Sequence, residues 1–282
     1  MSFLPKRFAS LFRPGGIRTH WRPLVIATGT IAVGTPLFTY MYSSYTQWLA
    51  IGRGGVPYNF FGWLVQSSMH LIARSDIRMP LPKGYARIDD LAAAYGPASL
   101  KSYFAPPEAK LDNRAGSRPT IPSFVAPQRQ TSEMAPEPVV ARQKAYLASL
   151  AKANPALFKL QTSKLEGPLH EAVWLSSSHY DKKDTRPRLG SGTGGEFAHV
   201  HGEGSTHVTL SVADATAAIA GGWAERHRLA GVGGAARAMV PWGYVLVYAP
   251  RDEAEYAVWR RLVVAGARHA AEGSGVEVVV PE

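Results

Sequence analysis

The chain has 282 residues, 46% of them hydrophobic, which suffices for one good-sized domain or two small ones with a real core. It contains no cysteine, and this excludes disulfides, Cys-ligated zinc, iron–sulfur clusters and thiol nucleophiles. The net charge is +10, but Lys6, Arg7, Arg13, Arg18, Arg22, Arg53 and Arg74 precede the first acid, Asp76; the rest is nearly balanced and offers no basic face for nucleic acid.

In chain order, residues 1–22 read as a basic tail. No charged residue occurs from Pro23 to Gly52, and about 20 apolar residues let a helix cross a bilayer, so residues 23–45 are expected to form a transmembrane helix. Trp21, Tyr40, Tyr42, Tyr45 and Trp48 flank it as an interfacial aromatic belt would. The expectation is a single-pass membrane protein of the endoplasmic reticulum with membrane lipid as a partner. An Arg-rich, acid-free start also fits a mitochondrial presequence, which makes a mitochondrial membrane the alternative.

Residues 46–103 are expected to be a membrane-proximal helical segment, with a short helix inside 57–75. Residues 104–139 are a proline-rich connection, where Pro106, Pro107, Pro119, Pro122, Pro127, Pro136 and Pro138 leave no regular element. The last segment, 140–282, opens on a helix, Val140–Ala153, stopped by Asn154-Pro155. Strand-like runs follow at His170–Leu175, Glu196–His201 and Thr206–Val212, the last two joined through Gly202–Ser205 as a hairpin. A helix over Ala213–Ala220, an apolar strand over Trp242–Tyr248, a helix from Arg251 to near Gly273 and a last strand over Val276–Val280 complete the segment. Strands and helices do not alternate regularly, so the fold class is α+β, a mostly antiparallel sheet packed with helices and preceded by the transmembrane helix.

Side chains alternate along a strand, so His199 and His201 project to one side with Phe197, and His207 shares a face with Thr209 and Ser211 on the next strand. Three imidazoles converge on one patch if the hairpin register sets His207 near His201. Such a patch serves general acid–base chemistry, or ligation of zinc or iron by His199, His201 and His207. Two further groups are Trp223, Glu225, Arg226 and His227, and Ser163, Lys164 and Glu166. No Walker loop, dinucleotide fingerprint or nucleophile elbow is present.

The blocks Glu196-Phe-Ala-His-Val-His201, Gly222-Trp-Ala-Glu-Arg-His-Arg-Leu-Ala-Gly231 and Val247-Tyr-Ala-Pro-Arg-Asp-Glu253 resemble the fungal luciferase family in order and spacing. Pro57–Trp63, Gly116–Pro119, Gln128–Gln130 and Thr162–Glu166 add to the likeness, which runs over most of residues 20–272. The resemblance implies a membrane-associated oxygenase that adds O2 to 3-hydroxyhispidin, a styryl-pyrone, with no cofactor, and that forms an excited product by loss of CO2. It implies a histidine base among His199, His201, His207 and His227, with Glu196 and Arg226 beside it. Ser163, Lys164, Glu166, Trp174, Trp223, Trp242 and Tyr248 are the corresponding candidates to hold a phenolic or pyrone substrate. The Gly-Glu-Gly-Ser loop and the spacing to His207 depart from the luminous members, and the family includes proteins of organisms that emit no light.

Overall fold

Short runs of β-branched and aromatic residues, punctuated by glycine, pair into one sheet. The computed structural model describes residues 21–282 except 82, 84–86, 88–89, 91–93, 105–110, 182–184 and 235–236. Residues 1–20 of the basic tail, and Pro106 and Pro107, therefore lie outside the described residues, as do the side chains of residues 21–31. The chain divides into two units, residues 1–50 and 51–282.

The described part of the first unit belongs to α1, Trp21–Ile51, which contains the expected 23–45 helix. A transmembrane role is not supported: among the described residues, no helix is long and apolar enough to cross a membrane. Over its described side chains, residues 32–51, the helix is diluted by Gly34, Thr35, Pro36, Thr39, Ser43, Ser44, Thr46 and Gln47, while residues 23–31, the first part of the expected span, lie outside them.

The second unit carries α2 (Phe60–Met69), a 3-10 turn (Pro97–Leu100), α3 (Glu137–Ala153), β1 (Phe158–Ser163), β2 (Gly167–Leu175), α4 (Ser177–Tyr180), α5 (Thr185–Leu189), β3 (Glu196–Val200), β4 (Thr206–Thr209), α6 (Val212–Ala220), β5 (Ala224–Arg226), β6 (Tyr244–Val247) and α7 (Glu253–Ala271). The sheet order is β1-β2-β3-β4-β6-β5, and every neighbouring pair is antiparallel. The expected α+β class and the β3–β4 hairpin are thus present. One expectation is corrected and two strands are added to those expected. Residues 276–280 form no strand; the backbone N–H and carbonyl of Val279 bond the Asn154 side chain instead. β1 alternates apolar and polar residues only over Phe158–Gln161, and the three-residue β5 is too short to show a period, so the sequence marks neither edge strand.

Side-chain caps fix the helix starts: Asn59 accepts from Gly62 N–H, Ser211 from Asp214 N–H and Asp252 from Glu255 N–H. α3 and α7 cover one face of the sheet, and Phe158, Val173, Phe197, Ala198, Val200, Val208, Trp259 and Leu262 form the core between them. Gly266 makes that approach possible, since a Cβ there would press on the Thr209 carbonyl and the Val208 side chain. Residues 118–131 of the proline-rich connection run over the opposite face: Arg118 reaches Glu225, Gln128 reaches His207, and Arg129 reaches Glu166.

Candidate active site

The face under that covering segment carries the histidines. β3 and β4 pair so that His199 lies opposite His207, and alternation brings His201 to the same face. Ring centroids are 5.1 Å apart for His199–His201, 5.2 Å for His199–His207 and 4.8 Å for His201–His207. Phe197 does not share this face, contrary to the alternation expected. Against β2 the register shifts, with Val173 opposite Ala198 but Trp174 opposite Glu196, a β-bulge that takes up Phe197 as an extra residue. Phe197 turns into the core, 5.1 Å from the Phe158 ring, and Glu196 turns to the histidines.

The bulge matters because it buries a carboxylate beside an imidazole. Glu196 Oε1 accepts from His199 Nδ1 at 2.7 Å and from Ser163 Oγ at 2.7 Å, and its Oε2 accepts from the Lys164 N–H at 2.7 Å. Ser163 Oγ also accepts from the Glu166 N–H at 2.9 Å, which tightens the turn from β1 to β2 and presents Glu166 to the cluster. Glu166 Oε1 then lies 3.5 Å from His201 Nε2 and 3.8 Å from His199 Nε2, while Oε2 accepts from Arg129 Nη2 at 2.7 Å. Arg129 is anchored in turn on the Arg53 carbonyl at 2.7 Å. Glycine at position 54 leaves room for the Glu166–Arg129 pair, because a Cβ there would displace Glu166 Oε2 and Arg129 Nη2.

Each remaining histidine has a defined partner. His201 Nδ1 donates to Ser205 Oγ at 2.9 Å, because the Ser205 hydroxyl proton goes to Glu203 Oε1. His207 Nε2 donates to Gln128 Oε1 at 3.3 Å; the Gln128 amide nitrogen, bonded to Glu225 Oε1 at 3.1 Å and the Arg226 carbonyl at 3.3 Å, fixes that orientation. His227 Nδ1 accepts from the Leu229 N–H at 3.1 Å, so in the neutral ring its proton sits on Nε2. One ligand atom from each of Glu166, His199, His201 and His207 falls within 4.8 Å of the others, and all four residues are buried.

Burial would raise the pKa of Glu166, but His201 and His199 outweigh it and hold the carboxyl well below its ordinary range. Burial likewise opposes charge on His199, yet the carboxylates of Glu166 and Glu196 lift it to about 9. Burial, with Arg129 next, lowers His170 to about 4, and burial foremost lowers His227 to about 4 and His207 well below the usual imidazole value. Burial, followed by Glu196 and Glu166, keeps the Tyr244 phenol protonated far above its ordinary range.

A chamber of about 70 Å³ adjoins the cluster, lined by Met69, Leu229, Val240, Tyr244, His207 and His227. Gly55, Val56, Leu165 and Glu166 line both this chamber and a wider cleft of about 540 Å³ between residues 53–58 and 164–169. Of the candidate residues, Glu166, Glu196, Ser163, His199, His201, His207 and His227 therefore come together, and Lys164 lines the cleft.

Others do not join them. Arg226 is fully buried but points away, donating to the carbonyls of Asp76, Met79 and Pro80 with its guanidinium 3.8 Å over the Trp242 ring. Alternation along β5 sends Glu225 to the histidine face and Arg226 off it, so Arg226, expected beside the histidine base, is turned away from it. Trp242 serves as that platform, Trp223 is held by the Asp112 carbonyl, Tyr248 bonds Glu225, and Trp174 sits beside Gly194. The aromatic lining of the chamber is Tyr244 instead. Tyr244 is outside the candidate residues, and Gln128 and Arg129 enter the sequence reading only through the Gln128–Gln130 block; for Tyr244 the available signal is its position two residues before Leu246 on the same strand face.

The described unit is thus an antiparallel α+β fold with a buried histidine–carboxylate cluster beneath a covering segment. Residues 194–266 match the Luciferase domain family model. A luciferase of Armillaria ostoyae is 30% identical over 258 residues, covering 89% of this chain and 88% of that protein. One of Armillaria gallica is 29% identical over the same shares, and one of Neonothopanus nambi is 28% identical over 257 residues, 86% of each chain. No solved structure matches. The chain belongs to the fungal luciferase family.

Proposed function

We propose that the protein is an oxygenase that adds O2 to an electron-rich hydroxypyrone or related phenolic, with 3-hydroxyhispidin as the reference substrate. What carries the reading is the apolar chamber beside the histidine–glutamate cluster in a chain related to proteins named luciferase. The inner chamber has room for O2 and the reacting edge of a planar molecule, and the outer cleft of about 540 Å³ is of a size that binds small ligands. Addition of O2 to such an enol gives a hydroperoxide or its cyclised form, so the atoms balance with no outside reductant. The His227 Nε2–H and the Tyr244 hydroxyl line the chamber as donors for the enolate and peroxide oxygens.

The test is oxygen uptake and photon emission from the full chain mixed with 3-hydroxyhispidin in air. Uptake by wild type that falls by about 10²-fold or more in His201→Ala supports the reading. Light alongside uptake makes the protein a luciferase; uptake in the dark makes it a non-luminous oxygenase. Folded wild-type protein that consumes no O2 with this compound overturns the reading.

A further inference from the structure

We propose that Glu166, His199, His201 and His207 bind one divalent first-row transition-metal ion through Glu166 Oε1, His199 Nε2, His201 Nε2 and His207 Nδ1. The case rests on hydrogen-bond accounting. The outward nitrogen of each histidine is a donor with a fixed acceptor: Glu196 for His199, Ser205 for His201 and Gln128 for His207. The inward nitrogens are all buried and none has a hydrogen-bond partner. The inward nitrogens of His201 and His207, that of His199 once an ion displaces its proton, and a carboxylate oxygen thus face one point in a low-dielectric interior, where unanswered polar atoms are costly.

A proton is the competing occupant. It can bridge one pair and leaves the other inward nitrogens facing each other. The separations of 3.5 Å and 3.8 Å from Glu166 Oε1 to His201 Nε2 and His199 Nε2 are too long for that bridge. They are the separations of neighbouring ligands, since atoms about 2.1 Å from a shared ion lie at most about 4.2 Å apart. The full spread of 4.8 Å needs only an inward shift of a few tenths of an ångström.

The outer contacts are those that metal-bound histidines require, with each distal N–H on an acceptor and the ligating carboxylate hydrogen-bonded, here to Arg129. Imidazole and carboxylate donors without thiolate select iron, manganese, cobalt or zinc in the divalent state. Glu166 and His207 also line the chamber, so the ion would stand at the wall of the proposed reaction site. The assignment concerns the same site as the oxygenase reading, but its test uses no substrate, so either can fail alone.

Full-length protein carrying no polyhistidine tag would be stripped with EDTA and titrated anaerobically with Co(II), followed by visible absorption and calorimetry. Wild type should take up one equivalent at micromolar or tighter affinity, develop ligand-field bands and melt at a higher temperature. Glu166→Gln and His207→Gln should weaken binding by about 100-fold or more. Glu196→Gln, which touches no ion, should weaken it by about 10- to 100-fold. If the ligand variants fail to fold, Glu196→Gln decides. Folded wild type that binds no Co(II) below millimolar concentration, or variants that bind as tightly as wild type, would overturn the proposal.

Discussion

At the residue scale, the site depends on small geometric permissions around charged groups. Gly54 admits the Glu166–Arg129 pair, whereas Gly202 has open space where a Cβ would go. Gly54→Ala is therefore expected to lower oxygen uptake by about 10-fold or more through displacement of Glu166, and to cost about 1–3 kcal/mol of stability by overpacking. Gly202→Ala should change neither; urea unfolding and uptake assays on the two variants check the contrast. Tyr244→Phe removes a chamber hydroxyl without changing the ring that packs 4.7 Å from His207. It should reduce kcat with KM little altered if the hydroxyl serves the transition state. The His-x-His spacing and the Thr162–Glu166 block were legible one residue at a time. That they share one centre was not, because Glu166 and His199 are brought together only by strand pairing. The misplacement of Arg226 has the opposite cause: a charged side chain next to His227 alternates to the other side of a strand too short to be seen in the sequence.

At the scale of elements, the bulge in β3 and the contact of α7 with the sheet set the core and the site together. Trp259 on α7 is 1% exposed, and its Nε1 donates to Thr206 Oγ1 on β4 at 2.8 Å. Trp259→Ala should cost about 3–5 kcal/mol, read as a lower urea midpoint, because it opens a cavity and strands the Thr206 hydroxyl. The C-terminal tail has the β-branched composition of a strand, yet has no strand partner. Its polar backbone is answered instead by Asn154, which donates to the Val279 carbonyl and accepts from its N–H, each at 2.7 Å. Asn154→Ala should cost about 1–3 kcal/mol and release the tail to faster amide exchange from residue 276 onward. β-Propensity pointed to a strand there and could not say whether an edge was free to receive it.

At the scale of the molecule, neutral histidines buried in the fold tie stability to pH. His269 on α7 is pushed down to about 3 by burial and then by Arg188, and its ring packs 5.3 Å from Tyr103. Its folded pKa lies below its unfolded value of about 6.5, so between these the unfolded chain binds the extra proton. Stability contributed by the neutral ring is present above pH 6.5 and is lost as pH falls from there toward 3. The slope is about one proton, or about 1.4 kcal/mol per pH unit. His269→Phe should flatten that slope in urea unfolding series at pH 4, 5, 6 and 7; an unchanged slope would assign the acid sensitivity elsewhere.

Taken alone, the sequence determined the absence of thiol chemistry, the α+β class, the β3–β4 hairpin, the helices that flank it and the histidines the hairpin carries. Each of these is written in local spacing, glycine punctuation or capping residues, which act over a few positions. Only the tertiary structure decided which carboxylates meet those histidines, that the proline-rich connection covers them with Gln128 and Arg129, and that Tyr244 rather than the tryptophans lines the chamber. Those outcomes depend on register, on one bulge residue and on contacts between segments far apart in the chain, and no periodicity within a strand encodes them.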